Sequence, residues 1–178
     1  EGWLAPGSYE LAEGETAESL ITQMVAATKK QLDDLGVSVA DREKVLTKAS
    51  ILEREVRNPE YLPMVSRVID NRLADTNGET RGLLQMDSTV LYGVGKTGGI
   101  PTAEDLAADN PYNTYRNPGL PPSPISQPSS QAINAAIHPA EGNWLYFVTV
   151  DLDSGETLFA ATHDEQTQNT KRLEEYCS

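Results

Sequence analysis

Residues 41–57 decide the fold, and they read DREKVLTKASILEREVR. Asp41 is a suitable N-cap, and the pair Asn58-Pro59 that follows the stretch predicts the end of a helix. At about 100° per residue, four apolar residues of this helix fall within an arc of roughly 60°. They are Val45, Ala49, Leu52 and Val56. The stretch therefore predicts a helix that packs one apolar side against a core.

The same helical geometry separates the glutamates of this stretch. Glu53 falls about 80° from Val45, on the apolar side, whereas Glu55 falls near the opposite margin. A carboxyl on the buried side loses solvation, so we expect the pKa of Glu53 to rise and its acid form to persist near neutral pH. A glycosidase general acid needs that form. The alternative is an ion pair of Glu53 with Arg42, or with a Lys or Arg of another element.

Helical periodicity and cap residues predict six further helices and one hairpin. The helices are expected at residues 16–35, 62–75, 87–92, 102–110, 129–138 and 164–176. Residues 144–151 and 157–161 flank the turn residues Asp153-Ser154-Gly155 and predict a β-hairpin. Residues 111–128 form a long loop rich in Pro, Asn and Tyr, and loops of that length are often functional. We predict one helix-rich α+β domain over residues 1–178.

The charge balance excludes some classes of partner. The chain has 27 acidic and 14 basic residues, for a formal net charge of −13. Nucleic-acid binding depends on Lys and Arg contacts to phosphate, and docking on anionic lipid needs a basic patch, so both are disfavoured. A glycan remains compatible with this charge. No apolar run approaches the roughly 20 residues that cross a bilayer.

Metal and cofactor sites are not indicated. Cys177 is the single cysteine, and with His138 and His163 it makes a poor zinc set. We expect His138 instead to cap the end of a helix. The segment GVGK at residues 93–96 lacks the spacing of a phosphate-binding loop, and a Schiff-base role for Lys96 has little support. We predict no metal and no cofactor.

Several ordered segments carry a resemblance to a known family. A helical Glu, then GLLQM at 82–86, then PYNTYR at 111–116 resembles the lysozyme-like lytic transglycosylases. The more specific resemblance is to the MltG (YceG-like) family of murein lytic transglycosylases, and it spans nearly the whole chain. Its segments are EGWLAP (1–6), ASILERE (49–55), NRL (71–73), LQMDSTV (84–90), PYNTYR (111–116) and GLPP (119–122). The resemblance implies a helix-rich, lysozyme-like catalytic core.

The resemblance also implies a reaction, which is cleavage of the β-1,4 bond between N-acetylmuramic acid and N-acetylglucosamine without water. In the family the first Glu of the Glu-x-Glu pair is taken as the acid, which is Glu53 here. It would protonate the glycosidic oxygen and then deprotonate the C6 hydroxyl of muramic acid, leaving a 1,6-anhydro end. Intramolecular attack needs no second carboxylate to activate a nucleophile. Asp87, near Gln85, is the residue that could contradict this.

Five residues are expected to bind the glycan. They are Gln85, Tyr112, Asn113, Tyr115 and Arg116. The two amides can donate and accept hydrogen bonds, and the tyrosines could stack on a sugar or bond Glu53. Arg116 could meet a carboxylate of the lactyl group or peptide stem. Loop packing of the tyrosines and a structural ion pair of Arg116 remain alternatives.

The family resemblance implies a bacterial envelope setting. The chain begins without an initiator Met, so we expect a domain excised from a longer protein that is tethered to the cytoplasmic membrane and works outside it. Expected partners are peptidoglycan strands, peptidoglycan synthases and other elongation or division proteins. The alternatives are a hydrolytic muramidase, which would release reducing ends, and a non-catalytic peptidoglycan-binding or scaffold module.

Overall fold

A computed structural model describes residues 1–10, 12 and 14–176, so Cys177 lies outside the described part. The described residues form seven α-helices, a short 3-10 helix (Pro59–Tyr61) and one two-stranded sheet. The helices are α1 (Ala17–Asp34), α2 (Arg42–Glu55), α3 (Leu62–Ala74), α4 (Asp87–Gly93), α5 (Ala103–Ala107), α6 (Ser130–Ile137) and α7 (His163–Tyr176). The strands are β1 (Tyr146–Thr149) and β2 (Thr157–Ala160). The predicted α+β class with a C-terminal hairpin is confirmed. No described helix combines the length and the apolar character needed to cross a membrane.

The predicted helix starts are confirmed where a side chain caps the backbone. Thr16 Oγ1 accepts from the Ser19 backbone N–H over 3.2 Å at the start of α1. Ser129 Oγ does the same for α6. Thr102 and Asp105 form the predicted capping box of α5. These local bonds satisfy N–H groups that have no partner inside the helix, and so they fix its first turn. His138 is the C-cap of α6, as expected.

Helix α2 lies at the centre of the domain, against α3, α4 and α6. All its residues from Leu46 to Leu52 are buried. The polar ones are satisfied: Lys48 Nζ contacts Asp70 Oδ1 at 2.6 Å and donates to the Ala136 carbonyl at 3.1 Å. Other parts of the domain therefore surround α2 on most sides, and its last turn borders a cleft.

The C-terminal hairpin and α7 form a unit that packs against the helical core. Strands β1 and β2 are antiparallel, with Phe147 opposite Phe159. Gln166 of α7 donates from Nε2 to the Phe147 carbonyl at 3.0 Å. Arg72 of α3 donates from Nε to the Leu145 carbonyl at 2.5 Å, which ties the hairpin to the core. This unit supplies one wall of the cleft.

Candidate active site

An open cleft of about 370 Å³ lies between the end of α2, the segment that precedes α4, and the C-terminal unit. Its polar and aromatic lining includes Glu55, Arg72, Gln85, Asp87, Tyr115 and Tyr146, with His163 and Gln166 from α7. Gln85 and Tyr115, which the sequence analysis expects to bind the glycan, both lie in this cleft. The other polar and aromatic lining residues come from α2, α3, the start of α4, β1 and α7.

Glu55 is the last residue of α2, and its carboxyl faces the start of α4. The Ser88 backbone N–H donates to Glu55 Oε1 over 3.1 Å. Burial raises the pKa of Glu55, hydrogen bonding from Ser88 opposes that rise, and the nearby charge of Asp87 adds to it. The charge of Arg54 lowers the pKa. Because burial is the largest of these effects, Glu55 keeps its proton to higher pH than an ordinary glutamate does.

Glu53 does not lie in the cleft, and its predicted burial is wrong. Its side chain is exposed, and Oε2 accepts from the Ser129 backbone N–H at 2.9 Å, just before α6. A carboxylate at the start of a helix stabilises free N–H groups, which is a structural role. The helical wheel failed because α2 is enclosed between Leu46 and Leu52, so its apolar arc does not define a single buried side.

Asp87 is the first residue of α4 and shares the cleft with Glu55. The phenol of Tyr115 donates to Asp87 Oδ1 at 2.7 Å. Burial raises the pKa of Tyr115, and the Asp87 carboxylate raises it further. Tyr115 therefore stays a neutral donor and holds the Asp87 carboxylate in place, rather than bonding Glu53.

Gln85 is exposed to the cleft and has a left-handed backbone, with φ of 54°. Its backbone N–H donates to the Thr114 carbonyl at 3.1 Å, and Met86 N–H donates to Thr114 Oγ1 at 3.0 Å. Its side-chain Oε1 accepts from Arg72 Nη1 at 3.0 Å. The segment before α4 is thus fixed from both the 111–128 loop and α3.

Three predicted glycan-binding residues lie outside the cleft. Asn113 is fully buried, and its Nδ2 donates to the carbonyls of Leu106 and Ala108 at 2.9 and 2.8 Å. Tyr112 bonds Ser123 and packs on another tyrosine ring. Arg116 is exposed and donates to the Ala107 carbonyl at 3.3 Å. These side chains organise the loop and are not part of the cleft lining, and their role in glycan binding stays a prediction.

Glu55 also borders a second depression. This depression has a volume of about 360 Å³, is lined by Glu55 and Asp87, and adds Arg54, Arg57 and Ser88. Glu55 and Asp87 are therefore shared by the two depressions, which together are called the groove.

Sequence reasoning did not select several of the residues that line the cleft. Glu55 was set aside by the helical wheel, and Arg72 was noted only as part of the NRL segment. His163 was considered only as a metal ligand, Tyr146 only as part of the strand expected at 144–151, and Gln166 was not considered. Of these cleft residues, Asp87 alone was indicated by the sequence, because it follows Gln85 by two residues. Within the described part of the chain, no three His, Cys, Asp or Glu side chains converge to hold a metal ion.

The fold and the groove together define a helix-rich α+β domain with a partly buried carboxyl at the end of its central helix. A sequence model of the YceG-like family matches residues 1–172. The chain belongs to the YceG-like family.

Similar proteins cover the chain almost completely. A protein of Streptococcus pneumoniae serotype 2 (strain D39 / NCTC 7466), named endolytic murein transglycosylase, is 35% identical over 179 residues, which cover 95% of this chain and 31% of the relative. A Bacillus subtilis (strain 168) protein of the same name is 33% identical over 183 residues, which cover 100% of this chain and 48% of the relative. A crystal structure of a YceG-like protein from Listeria monocytogenes has a TM-score of 0.76 and 35% identity, covering 94% of this chain and 54% of that one. The chain thus spans about a third to a half of the length of these curated relatives.

Proposed function

We propose that the chain is the catalytic domain of an endolytic peptidoglycan lytic transglycosylase, with Glu55 as its acid and base. The carrying observation is the Glu55 carboxyl, which borders both depressions of the groove and whose pKa is raised by burial. The similar proteins from Streptococcus pneumoniae and Bacillus subtilis are named endolytic murein transglycosylases, which supports the reaction. Glu53, the acid expected from the sequence, lies outside the groove and bonds the start of α6.

The reaction needs one group that first gives and then takes a proton. Protonated Glu55 donates its proton to the glycosidic oxygen while the bond from that oxygen to the anomeric carbon of muramic acid breaks. The Glu55 carboxylate then removes the proton of the C6 hydroxyl, whose oxygen attacks the anomeric carbon. The products are an N-acetylglucosamine end and a 1,6-anhydro-muramic acid end, no water is consumed, and Glu55 is protonated again.

Asp87 and Tyr115 support this cycle in different ways. The Asp87 carboxylate, held by the Tyr115 hydroxyl at 2.7 Å, raises the pKa of Glu55 through its negative charge. It also places negative charge in the cleft where the sugar becomes cationic as the bond breaks. Tyr115, Gln85 and Tyr146 provide hydrogen-bonding and ring surfaces for the sugars.

A hydrolytic muramidase is the second candidate, and Asp87 is the observation that favours it. Asp87 shares the cleft with Glu55, so it could activate a water molecule in place of the C6 hydroxyl. The product ends separate the two reactions, because hydrolysis leaves a reducing sugar. A non-catalytic peptidoglycan-binding module would leave no new ends.

The cellular setting is part of the same proposal. Because the relatives are two to three times longer than the aligned region, we place this domain in a longer protein of the bacterial envelope, tethered to the outer side of the cytoplasmic membrane. Its polymer substrate is peptidoglycan. Peptidoglycan synthases and other elongation or division proteins are the proposed protein partners.

The test is mass spectrometry of peptidoglycan fragments after digestion by the wild type, Glu55→Gln and Glu53→Gln. We expect anhydro-ended fragments from the wild type and from Glu53→Gln. Glu55→Gln should lose at least about 100-fold of the rate, which is the lower range for general acid–base catalysis. Reducing ends would identify a muramidase. Loss of activity in Glu53→Gln alone would move the acid to Glu53.

A further inference from the structure

We infer that Arg72 is a positioning residue that turns the side-chain amide of Gln85 so that only its NH₂ group faces the cleft. That subsite then takes a hydrogen-bond acceptor, and we assign it to the carbonyl oxygen of a sugar acetamido group. The assignment of the ligand rests on the proposed function. The orientation of the amide rests on the contacts of Arg72 alone.

Arg72 is almost completely buried, with 6% of its surface exposed, and its partners are oxygens. Its Nη1 donates to the carbonyls of Leu83 and Leu84 at 3.1 and 2.9 Å and to Gln85 Oε1 at 3.0 Å. Its Nε donates to the Leu145 carbonyl. The guanidinium carbon lies 4.9 Å from the centre of the Tyr146 ring. Arg72 is therefore locked in a single position between α3, the segment before α4 and the hairpin.

A guanidinium has five donors and no acceptor, so it determines which end of an amide faces it. The atom of Gln85 that contacts Arg72 must be the oxygen, because an NH₂ group there would set donor against donor. The NH₂ group consequently points away from Arg72. It donates to no other residue in the described part of the chain, and the side chain is exposed in the cleft. Gln85 thus presents its NH₂ donors to a ligand, and these donors have no partner within the described part of the chain.

The backbone supports the same conclusion. Gln85 has φ of 54°, a conformation that residues other than glycine rarely adopt. Such a conformation persists only where surrounding contacts impose it, and these residues concentrate at ligand sites. Here the contacts are the Thr114 carbonyl on Gln85 N–H and Arg72 on the two preceding carbonyls. Arg72 therefore holds both the backbone that precedes Gln85 and the side-chain amide of Gln85.

The neighbouring residue narrows the class of ligand. Asp87, two residues along, lines the same cleft and offers a carboxylate acceptor. A secondary amide such as an acetamido group has one acceptor, the carbonyl oxygen, and one donor, the N–H. The donor of Gln85 and the acceptor of Asp87 match that pair, whose acceptor and donor lie on separate atoms, whereas in a sugar hydroxyl both lie on one oxygen.

The first experiment is Gln85→Glu, which keeps an oxygen for Arg72 and replaces the NH₂ group with a second oxygen. The probe is a neutral oligomer of N-acetylglucosamine, so that the added negative charge meets no charge on the ligand. We expect a melting temperature at or above that of the wild type, because the Arg72 contact becomes charge-assisted. Binding of the oligomer should weaken by at least about tenfold, since the carboxylate cannot donate.

The matched control is Gln168→Glu. Gln168 is exposed on α7 and lies outside the cleft lining, and its side chain makes no hydrogen bond within the described part of the chain. Gln168→Glu adds the same negative charge outside the cleft lining, so the oligomer should bind this variant as it binds the wild type. Wild-type binding in Gln85→Glu, or a melting temperature well below the wild type, would show that the amide is turned the other way.

The second experiment tests Arg72 through Gln85. Arg72→Lys keeps the charge but cannot hold all these oxygens in one plane, so we expect oligomer binding to weaken several-fold. The same change made in a Gln85→Ala background should leave binding where Gln85→Ala alone puts it. An equal loss in both backgrounds would mean that Arg72 acts only on stability, and would overturn its positioning role.

The two proposals fail separately. Binding of the oligomer that depends on Gln85 without anhydro products would leave this inference standing and overturn the proposed reaction. Anhydro products together with wild-type binding in Gln85→Glu would do the reverse. Failure of the wild type to bind the oligomer at all would overturn the acetamido assignment.

Discussion

The hydroxyl of Tyr115 donates to Asp87 Oδ1 over 2.7 Å and so joins the long 111–128 loop to the first residue of α4. Gln85 N–H and Met86 N–H, which lie two residues and one residue before Asp87, make the same connection by donating to Thr114. The loop therefore acts on the cleft through the segment before α4. Its effect reaches Glu55 because the Asp87 charge raises the pKa of that carboxyl.

The activity should depend on pH through Glu55. Burial raises its pKa, and only the acid form can protonate the glycosidic oxygen, so the rate should fall as pH rises through that raised pKa. The measurement is the rate of anhydro-end formation between about pH 5 and pH 9. A rate that stays constant over this range would remove Glu55 from the role of acid.

The stability of the folded protein should also depend on pH through Glu55, and the raised pKa of Glu55 sets the direction of that dependence. Because the pKa of Glu55 is higher in the folded than in the unfolded chain, its contribution is fully present below the unfolded pKa and is lost as pH rises through the folded pKa. Glu55→Gln carries no such loss. The wild type should therefore lose stability relative to Glu55→Gln as the pH of thermal unfolding is raised, with Glu53→Gln as the control that keeps the wild-type trend.

Asp87→Asn should move the alkaline limit of activity to lower pH. Removing the negative charge that faces Glu55 leaves burial opposed by Ser88 and Arg54, so the pKa of Glu55 falls. Tyr115→Phe keeps the charge of Asp87 but removes its hydrogen bond, and we expect a lower rate with the alkaline limit little changed. The pH profiles of the two variants distinguish these effects, and identical profiles would contradict them.

Asn113→Ala should affect stability rather than glycan binding. The change leaves the Leu106 and Ala108 carbonyls and the Tyr115 N–H without their buried partner. We expect a loss of roughly 2–3 kcal/mol, which lowers the melting temperature by roughly 5–10 °C. Arg116→Ala, at an exposed position, should change stability by less than about 0.5 kcal/mol. Wild-type stability of Asn113→Ala with a raised KM would restore its predicted role in binding.

Asp70→Ala should destabilise the packing of α2 on α3. The Lys48 ammonium lies 2.6 Å from Asp70 Oδ1, and burial lowers the pKa of Lys48 while Asp70 opposes this. Breaking a buried pair costs roughly 3–5 kcal/mol, and since the Asp70 side chain is 35% exposed we expect about 2–3 kcal/mol. Asp109→Ala, at an exposed position, is the control in a denaturant titration. Equal midpoints for the two variants would contradict the prediction.

The fold was largely predictable because its helix ends depend on local hydrogen bonds. Thr16, Ser129 and the pair Thr102 and Asp105 each cap a helix from within three residues, and such bonds leave a pattern in the sequence. Helix α2 was also predicted, although it ends at Glu55 rather than at residue 57. The cleft residues Gln85 and Tyr115 lie in two motifs of the sequence, GLLQM (82–86) and PYNTYR (111–116).

The remaining site residues depend on contacts between distant segments. The different surroundings of Glu53 and Glu55 come from the neighbour that each one faces, Ser129 or Ser88, and a helical wheel contains no neighbours. The motif of Asn113 resembles that of a ligand-binding amide, but its NH₂ group donates to the Leu106 and Ala108 carbonyls at the end of α5. Arg72 meets carbonyls that lie 11 and 73 positions away, so no local pattern reveals it.

The enclosure of α2 has a consequence for how this sequence can vary. On an ordinary amphipathic helix, positions that accept many residue types alternate with restrictive ones every turn. In α2 the seven positions from Leu46 to Leu52 are all buried, whereas α7 has no buried residue. Saturation mutagenesis should therefore show one unbroken intolerant band in α2, ending just before the groove. Affinity tags and spectroscopic labels belong on the residues of α7 that lie outside the cleft lining, such as Gln168.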